Sequence, residues 1–304
     1  MGPRAWLGSV VVLGLVLAPA RGQTQLAWKW NVGDRFYLET VNTLTAITKA
    51  DNQEVKGSLA TTTVDQYKVA KSDATAIVLE KTLLAQRFKN TSSNGNEADA
   101  EVQKRAEALA RKLEGLVLTI TFDAAMHKVT KVDGVKEYVK RAFGDDFTDP
   151  GRFEESITEE QQDIFCGFLP DKPVAAGATW QRKSSHRSPQ AAANFTALGD
   201  FTYKGKDTVA GKTAERIDAV WRLTFVPPKV EGDPPVEVKG DLKADTAKAT
   251  YYFDADAGRL VQSDRSLRVK GTVTISSKDK KLSYDLDQDQ TWRVRLLREN
   301  PLGK

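Results

Sequence analysis

Residues 282–296 alternate with a period of two, and no other feature constrains the fold as strongly. Leu282, Tyr284, Leu286, Gln288, Gln290, Trp292, Val294 and Leu296 fall on one side. Ser283, Asp285, Asp287, Asp289, Thr291, Arg293 and Arg295 fall on the other. An extended chain points successive side chains to opposite faces, whereas a helix would scatter both sets around its axis. The stretch therefore reads as one strand, longer than the usual ~5–6 residues and so bent or strongly twisted. The strand before it reads Leu267, Val269, Gly271, Val273 and Ile275 inward, with Arg268, Lys270, Thr272 and Thr274 outward. Gly271 stands where a side chain is expected and marks a bend or bulge. Ile217, Ala219, Trp221, Leu223 and Phe225 make another inward row, and Ile77, Leu79, Lys81 and Leu83 a noisier one. Strands with one wet face belong to antiparallel sheets.

Three segments break the alternation. Asn96 to Leu113 opens with acids, closes on Arg111 and Lys112, and carries the stripe Ala98, Val102, Ala106, Leu109 and Leu113, so it reads as a helix stopped by Gly115. Asp133 is placed to cap a second helix with Val135, Tyr138, Val139, Ala142 and Phe143 on its apolar face. Thr158-Glu159-Glu160-Gln161 has the spacing of a capping box, opening a third helix that buries Ile164, Phe165 and Phe168. The paired prolines from Val226 to Pro235 require an exposed loop, and Ser184 to Ala193 reads as a second, polar loop. The expected fold is mainly β with a few helices (α+β), built on long curved antiparallel sheets.

Two segments resemble each other. Leu118-Thr119-Ile120-Thr121-Phe122-Asp123-Ala124 parallels Ala249-Thr250-Tyr251-Tyr252-Phe253-Asp254-Ala255, and Trp30 to Phe36 loosely echoes Val174 to Trp180. Two half-barrel-like repeats, about 23–150 and 169–304 with helices between them, would explain this. So would the general likeness of strand–turn–strand units.

The first residues read as an address. Met1 to Arg4 is short and basic, Ala5 to Ala18 is apolar, and Ala20-Arg21-Gly22 places small residues for a cut before Gln23. That is the layout of a secretory signal peptide over residues 1–22, with an uncleaved anchor as the competing reading. The remaining β-rich domain, 23–304, loses Arg4 and Arg21 and no acid, which lowers the net charge from +4 to +2. A near-neutral chain without basic blocks is a poor fit to nucleic acid. No later segment is apolar and long enough for a spanning helix. The expectation is export to the periplasm or exterior as a soluble protein without a transmembrane segment.

Candidate chemistry is sparse. Cys166 is the single cysteine, so no internal disulfide forms, and its apolar setting reads as burial. The two histidines are His127, in an expected turn, and His186, in the polar loop. Neither sits in a nucleophile motif, and no zinc spacing occurs. Asp285, Asp287 and Asp289 begin like a calcium loop, but Gln290 and Leu296 occupy the positions that need Gly and an acid. They read as the wet face of a strand opposite Arg268 and Lys270. A carboxylate pair for glycan hydrolysis is compatible with 41 acids, though nothing selects the two. Trp28 and Trp30, on a shared strand face, and Trp180, Trp221 and Trp292 suit either core packing or sugar stacking. Asn90-Thr91-Ser92 and Asn194-Phe195-Thr196 match the glycosylation acceptor pattern. No catalytic residue, metal ligand or cofactor is assigned.

The segment Phe168-Leu169-Pro170-Asp171-Lys172-Pro173-Val174-Ala175-Ala176-Gly177-Ala178-Thr179-Trp180 is more specific. Its Leu-Pro-x-x-Pro-Val-x-x-Gly-x-x-Trp element, with Val32-Gly33-Asp34-Arg35-Phe36-Tyr37, resembles an uncharacterised family of planctomycete-type bacterial secreted proteins and lipoproteins. The resemblance implies no activity. The chain lacks a lipid-attachment cysteine at the cut, a departure from anchored members.

The leading expectation is a non-catalytic, exported binding or envelope-associated protein. Its concave sheet would hold an apolar or amphipathic ligand or contact an envelope protein. A secreted carboxylate-pair glycan hydrolase and a ligand-free scaffold are the alternatives.

Overall fold

Alternation becomes sheet along most of the chain. The computed structural model describes residues 22–50, 53–92, 97–124, 128–144, 150–187, 194–227, 236–277 and 280–303. The first wing comprises β1 (Arg35–Ala50), β2 (Gln53–Ser72), β3 (Ala76–Ser92), α1 (Glu97–Leu113), β4 (Val117–Asp123) and β5 (Lys128–Asp133). Helices α2 (Val135–Phe143) and α3 (Pro150–Phe165) follow. The second wing comprises β6 (Thr179–Arg187), β7 (Asn194–Val209), β8 (Lys212–Val226), β9 (Val236–Asp254), β10 (Arg259–Ser277) and β11 (Lys280–Leu297).

All eleven described strands form one antiparallel sheet in the order β5-β4-β3-β2-β1-β11-β10-β9-β8-β7-β6. The fold is thus mainly β, one open sheet with three described helices. Strands β1 to β5 and β6 to β11 supply its two wings, which meet where β1 pairs β11 from Tyr37↔Leu297 to Lys49↔Asp285. The turns that open β1 and β6 make matching bonds. Gly33 N donates to Val69 O and Val69 N to Asp34 O, while Gly177 N donates to Tyr203 O and Tyr203 N to Ala178 O. Both glycines have φ near +90°, a region that a side chain disfavours.

Several local expectations change in the folded chain. Asp133 does not cap α2; its carboxylate meets Lys131 at 2.8 Å, and Gly134, at φ +93°, occupies the cap without a side-chain bond. Thr158 does not open α3. The helix starts at Pro150, a residue suited to a first turn, and Thr158 Oγ1 donates to Glu154 O inside it. Ser184 to Arg187 belong to β6 rather than to a loop, so His186 is a strand residue paired with Phe195. Trp28 and Trp30 lie outside any strand. Residues 1–21 of the expected signal peptide, His127, and residues 188–193 and 228–235 of the two expected loops fall outside the described residues.

Helix α3 organises the core because it packs against both sheet edges, β5 and β6. The sheet therefore curls around it. At the β5 edge, Gln162 Oε1 accepts the Val129 amide at 2.7 Å, satisfying a backbone group that an edge strand leaves open. Phe165 is fully buried, with its ring 5.3–6.5 Å from those of Trp28, Trp30, Phe36, Tyr67 and Phe122. Above the end of β4, helix α1 guards β3. Gln103 donates to Phe88 O and accepts from Asn90 N.

The far end of the second wing has its own smaller core. Strands β8 and β9 pair only between Glu215↔Phe253 and Val220↔Lys248. Phe225, where β8 pairs β7 but no longer β9, leans over Gly240 of β9, where a Cβ would come within 2.8 Å of its ring. Val238, Leu242, Val269 and Val273 are buried there, backed by Phe195, Phe225, Leu267, Ile275, Tyr284 and Leu286. Gly271 is confirmed as an irregularity. It has φ +148°, and a Cβ would sit 1.9 Å from Asp241 O.

Candidate ligand-binding face

The face of the sheet that carries the helices falls into two parts, and strand register defines them. Phe36↔Tyr67 and Leu38↔Asp65 are the last rows under α3; Thr40↔Thr63, Asn42↔Thr61 and Leu44↔Leu59 continue the same face beyond it. Register extends those rows to Val294, Trp292 and Gln290 on β11. It also extends them to Gln86, Phe88 and Asn90 on β3.

A buried charge pair marks the boundary. Lys81 Nζ lies 3.2 Å from Asp65 Oδ2, with side-chain exposures of 14% and 9%. Burial pushes the Asp65 carboxyl above its ordinary range, and Lys81 works against that shift. Beside the pair, Tyr67 OH donates to Gln161 Oε1 of α3 at 3.1 Å, and burial raises the Tyr67 phenol. Across the seam Arg265 lies over the Tyr251 ring at 5.4 Å and faces Asp163.

Beyond this boundary the described inner-face residues of β1, β2, β3 and β11 include no charged side chain, although most are only partly buried. Polar positions there are uncharged and bonded to one another. Gln290 Nε2 donates to Asn42 Oδ1 at 3.1 Å, Gln288 Nε2 to Gln290 Oε1 at 3.4 Å, and Gln86 Nε2 to Thr63 Oγ1 at 3.5 Å. The β10 side of this zone begins at Arg265, opposite Trp292, and is apolar beyond it through Leu267, Val269 and Val273. The opposite face of the same strands holds the charges. Arg268 binds Asp287 through two bonds of 3.1 Å, Lys270 reaches Asp287 at 3.7 Å, and Asp285 accepts from Thr272. The three aspartates are therefore a wet strand face, as the alternation indicated. No group of three potential metal-binding side chains occurs among the described residues.

Two pockets border the N-terminal segment, one of them against α3. One, of about 450 Å³, lies where both sheet edges meet α3 and is lined by Gln25, Val129, Asp163, Cys166, Arg182 and others. Burial pushes the Cys166 thiol up to about 12. The second, of about 680 Å³, is lined by Thr24, Lys29, Lys206, Glu215 and Asp256 among others. Its buried Glu215 accepts a 2.5 Å hydrogen bond from Tyr203 OH.

The tryptophans divide by position. Trp28 is buried, stacks on Trp30 at 4.9 Å and donates to Phe165 O. It is a core residue rather than a sugar platform. Trp180 stacks on Phe201, and Trp221 meets the same ring edge-on. Trp292 is only partly buried and stands in register between Asn42 of β1 and Arg265 of β10. Of the acceptor asparagines, Asn90 lies in β3 opposite Leu59 and Asn194 opens β7. Sequence reasoning placed Gln288, Gln290 and Trp292 on this face. It missed Asn42, Thr61, Thr63 and Gln86, whose alternation in β1 to β3 is blurred by threonines on both sides. No described helix is long and apolar enough to cross a membrane.

No protein-family profile matches the chain, and no curated protein matches it. Solved structures that align with it include lipovitellin, at 8% identity and TM-score 0.43 over 88% of this chain and 25% of that one. The chain thus spans a quarter of that protein's length. The outer membrane protein OprG from Pseudomonas aeruginosa aligns at 8% identity and TM-score 0.23, over 90% and 99% of the two chains. A Bacteroides fragilis protein with a YmcC-like fold aligns at 9% identity and TM-score 0.22, over 86% and 97%.

Proposed function

We propose that this chain is a non-catalytic binding protein that holds an apolar or amphipathic ligand on the inner face of its curled sheet, beyond α3. The observation that carries the reading is the exclusion of charge from that face. On β1, β2, β3 and β11 the partly exposed inner residues beyond the Asp65–Lys81 pair are uncharged, while the outer face of the same strands is rich in ion pairs. Ordinary wet sheet faces are built from charged and polar residues, so a charge-free face beside an apolar cluster favours a ligand with little or no charge. A carboxylate-pair hydrolase would need acids on this surface, and its described residues carry none.

The exported location, cleavage before Gln23 and kinship with secreted bacterial proteins belong to the same proposal. They rest on the leader-like residues 1–22, on the Leu169–Trp180 element and on Val32–Tyr37.

The neutral fluorophore N-phenyl-1-naphthylamine tests the binding reading. Saturable enhancement is expected with the wild-type protein, and at least a tenfold loss of affinity in Leu44→Asp or Leu267→Asp variants that keep native circular dichroism. Absence of saturable enhancement, or equal binding by those variants, would contradict it.

A further inference from the structure

We infer that the polar part of the ligand is uncharged and rich in hydroxyl groups, as in a saccharide or polyol headgroup. This deepens the proposed function and rests on it. The polar residues beyond α3 are amides and threonines: Asn42, Thr61, Thr63, Gln86 and Gln290, with the Trp292 ring among them. A primary amide offers two N–H donors and a carbonyl acceptor. The bonds from Gln290 to Asn42 and from Gln86 to Thr63 use only part of that capacity. They hold the side chains side by side and leave donors and acceptors together for a ligand.

A hydroxyl both donates and accepts, and so matches such a surface at any orientation. A phosphate or carboxylate would need a cation. The nearest cations on this face are Lys81, 3.2 Å from Asp65, and Arg265, opposite Trp292 in register and 4.0 Å from Asp163. An ammonium would need an anion, and the two nearest carboxylates, Asp65 and Asp163, each stand beside one of those cations. Bringing a lone charge onto this surface would cost its hydration without a counter-charge. A pyranose ring, by contrast, has an apolar face that packs on an indole such as Trp292. The apolar chain of the ligand would then run toward Leu267 and Val269 on β10, next to Gln290 and Gln288 in register.

Isothermal titration with three twelve-carbon amphiphiles below their micelle concentrations tests this: n-dodecyl-β-maltoside, dodecylphosphocholine and dodecanoate. The maltoside is expected to bind at least tenfold more tightly than either charged probe. In the double variant Asn42→Leu, Gln290→Leu, with native circular dichroism, that preference should vanish. Equal affinities for the three heads, or tighter binding of a charged one, would overturn the headgroup inference and leave the binding reading standing. Failure of all three to bind would overturn both.

Discussion

Lys81 Nζ and Asp65 Oδ2, 3.2 Å apart under helix α3, form a buried ion pair at the border between the packed core and the charge-free face. Removing one partner strands the other charge in the interior. Lys81→Ala is expected to destabilise the protein by about 3–5 kcal/mol, whereas the paired change Lys81→Met, Asp65→Leu should cost far less. Urea unfolding of both variants against wild type checks the difference. A double variant as unstable as Lys81→Ala would contradict the pairing.

Phe165 anchors α3 between the sheet edges through five aromatic neighbours. Phe165→Ala is expected to cost about 3–5 kcal/mol by the usual scale for large buried aromatics. Because α3 joins β5 to β6, the loss should loosen both edges together. Hydrogen exchange at the Val129 amide, which Gln162 holds, should rise with it.

Gly271 leaves no room for a side chain, since a Cβ would lie 1.9 Å from Asp241 O. Its φ of +148° alone would cost another residue about 1–3 kcal/mol, and the backbone clash adds to that. Gly271→Ala should therefore lower the melting temperature sharply. Gly303→Ala at the C-terminal turn, also with positive φ but with nothing within 4 Å of a Cβ, should do so much less.

Burial holds the Cys166 thiol near 12 against an ordinary value of 9.0. The thiolate is the reactive species, and so high a pKa leaves about a thousandfold less of it at pH 8 than an ordinary thiol would have. Alkylation by iodoacetamide should be slow in the native protein and fast in urea. The native state keeps this proton while the unfolded chain loses it, so stability should fall as pH rises from about 9 toward 12. Urea midpoints measured across that range check the slope.

Much of the sheet was legible in the sequence because a one-sided strand writes its burial as alternation. The run from Leu282 to Leu296 survives as β11, and its Asp287 meets Arg268 and Lys270 as expected. Helix starts were less legible. Capping patterns are local and recur by chance, so Thr158 had the right spacing yet lies inside a helix that Pro150 begins. The boundary of the site was hidden for a different reason. Lys81 is a charged residue in an inward row, and only the register of β2 with β3, Tyr67↔Lys81, brings it to Asp65. The uncharged face likewise depends on β1 pairing with β11 across most of the chain length, a contact no local pattern encodes.

Native mass spectrometry of the protein purified from its own host tests the binding of an uncharged amphiphile most directly. The predicted result is a bound amphiphile with a hydroxyl-rich, uncharged head, released on organic extraction and regained on adding the extract back. A folded protein that carries no ligand and takes none up would contradict it.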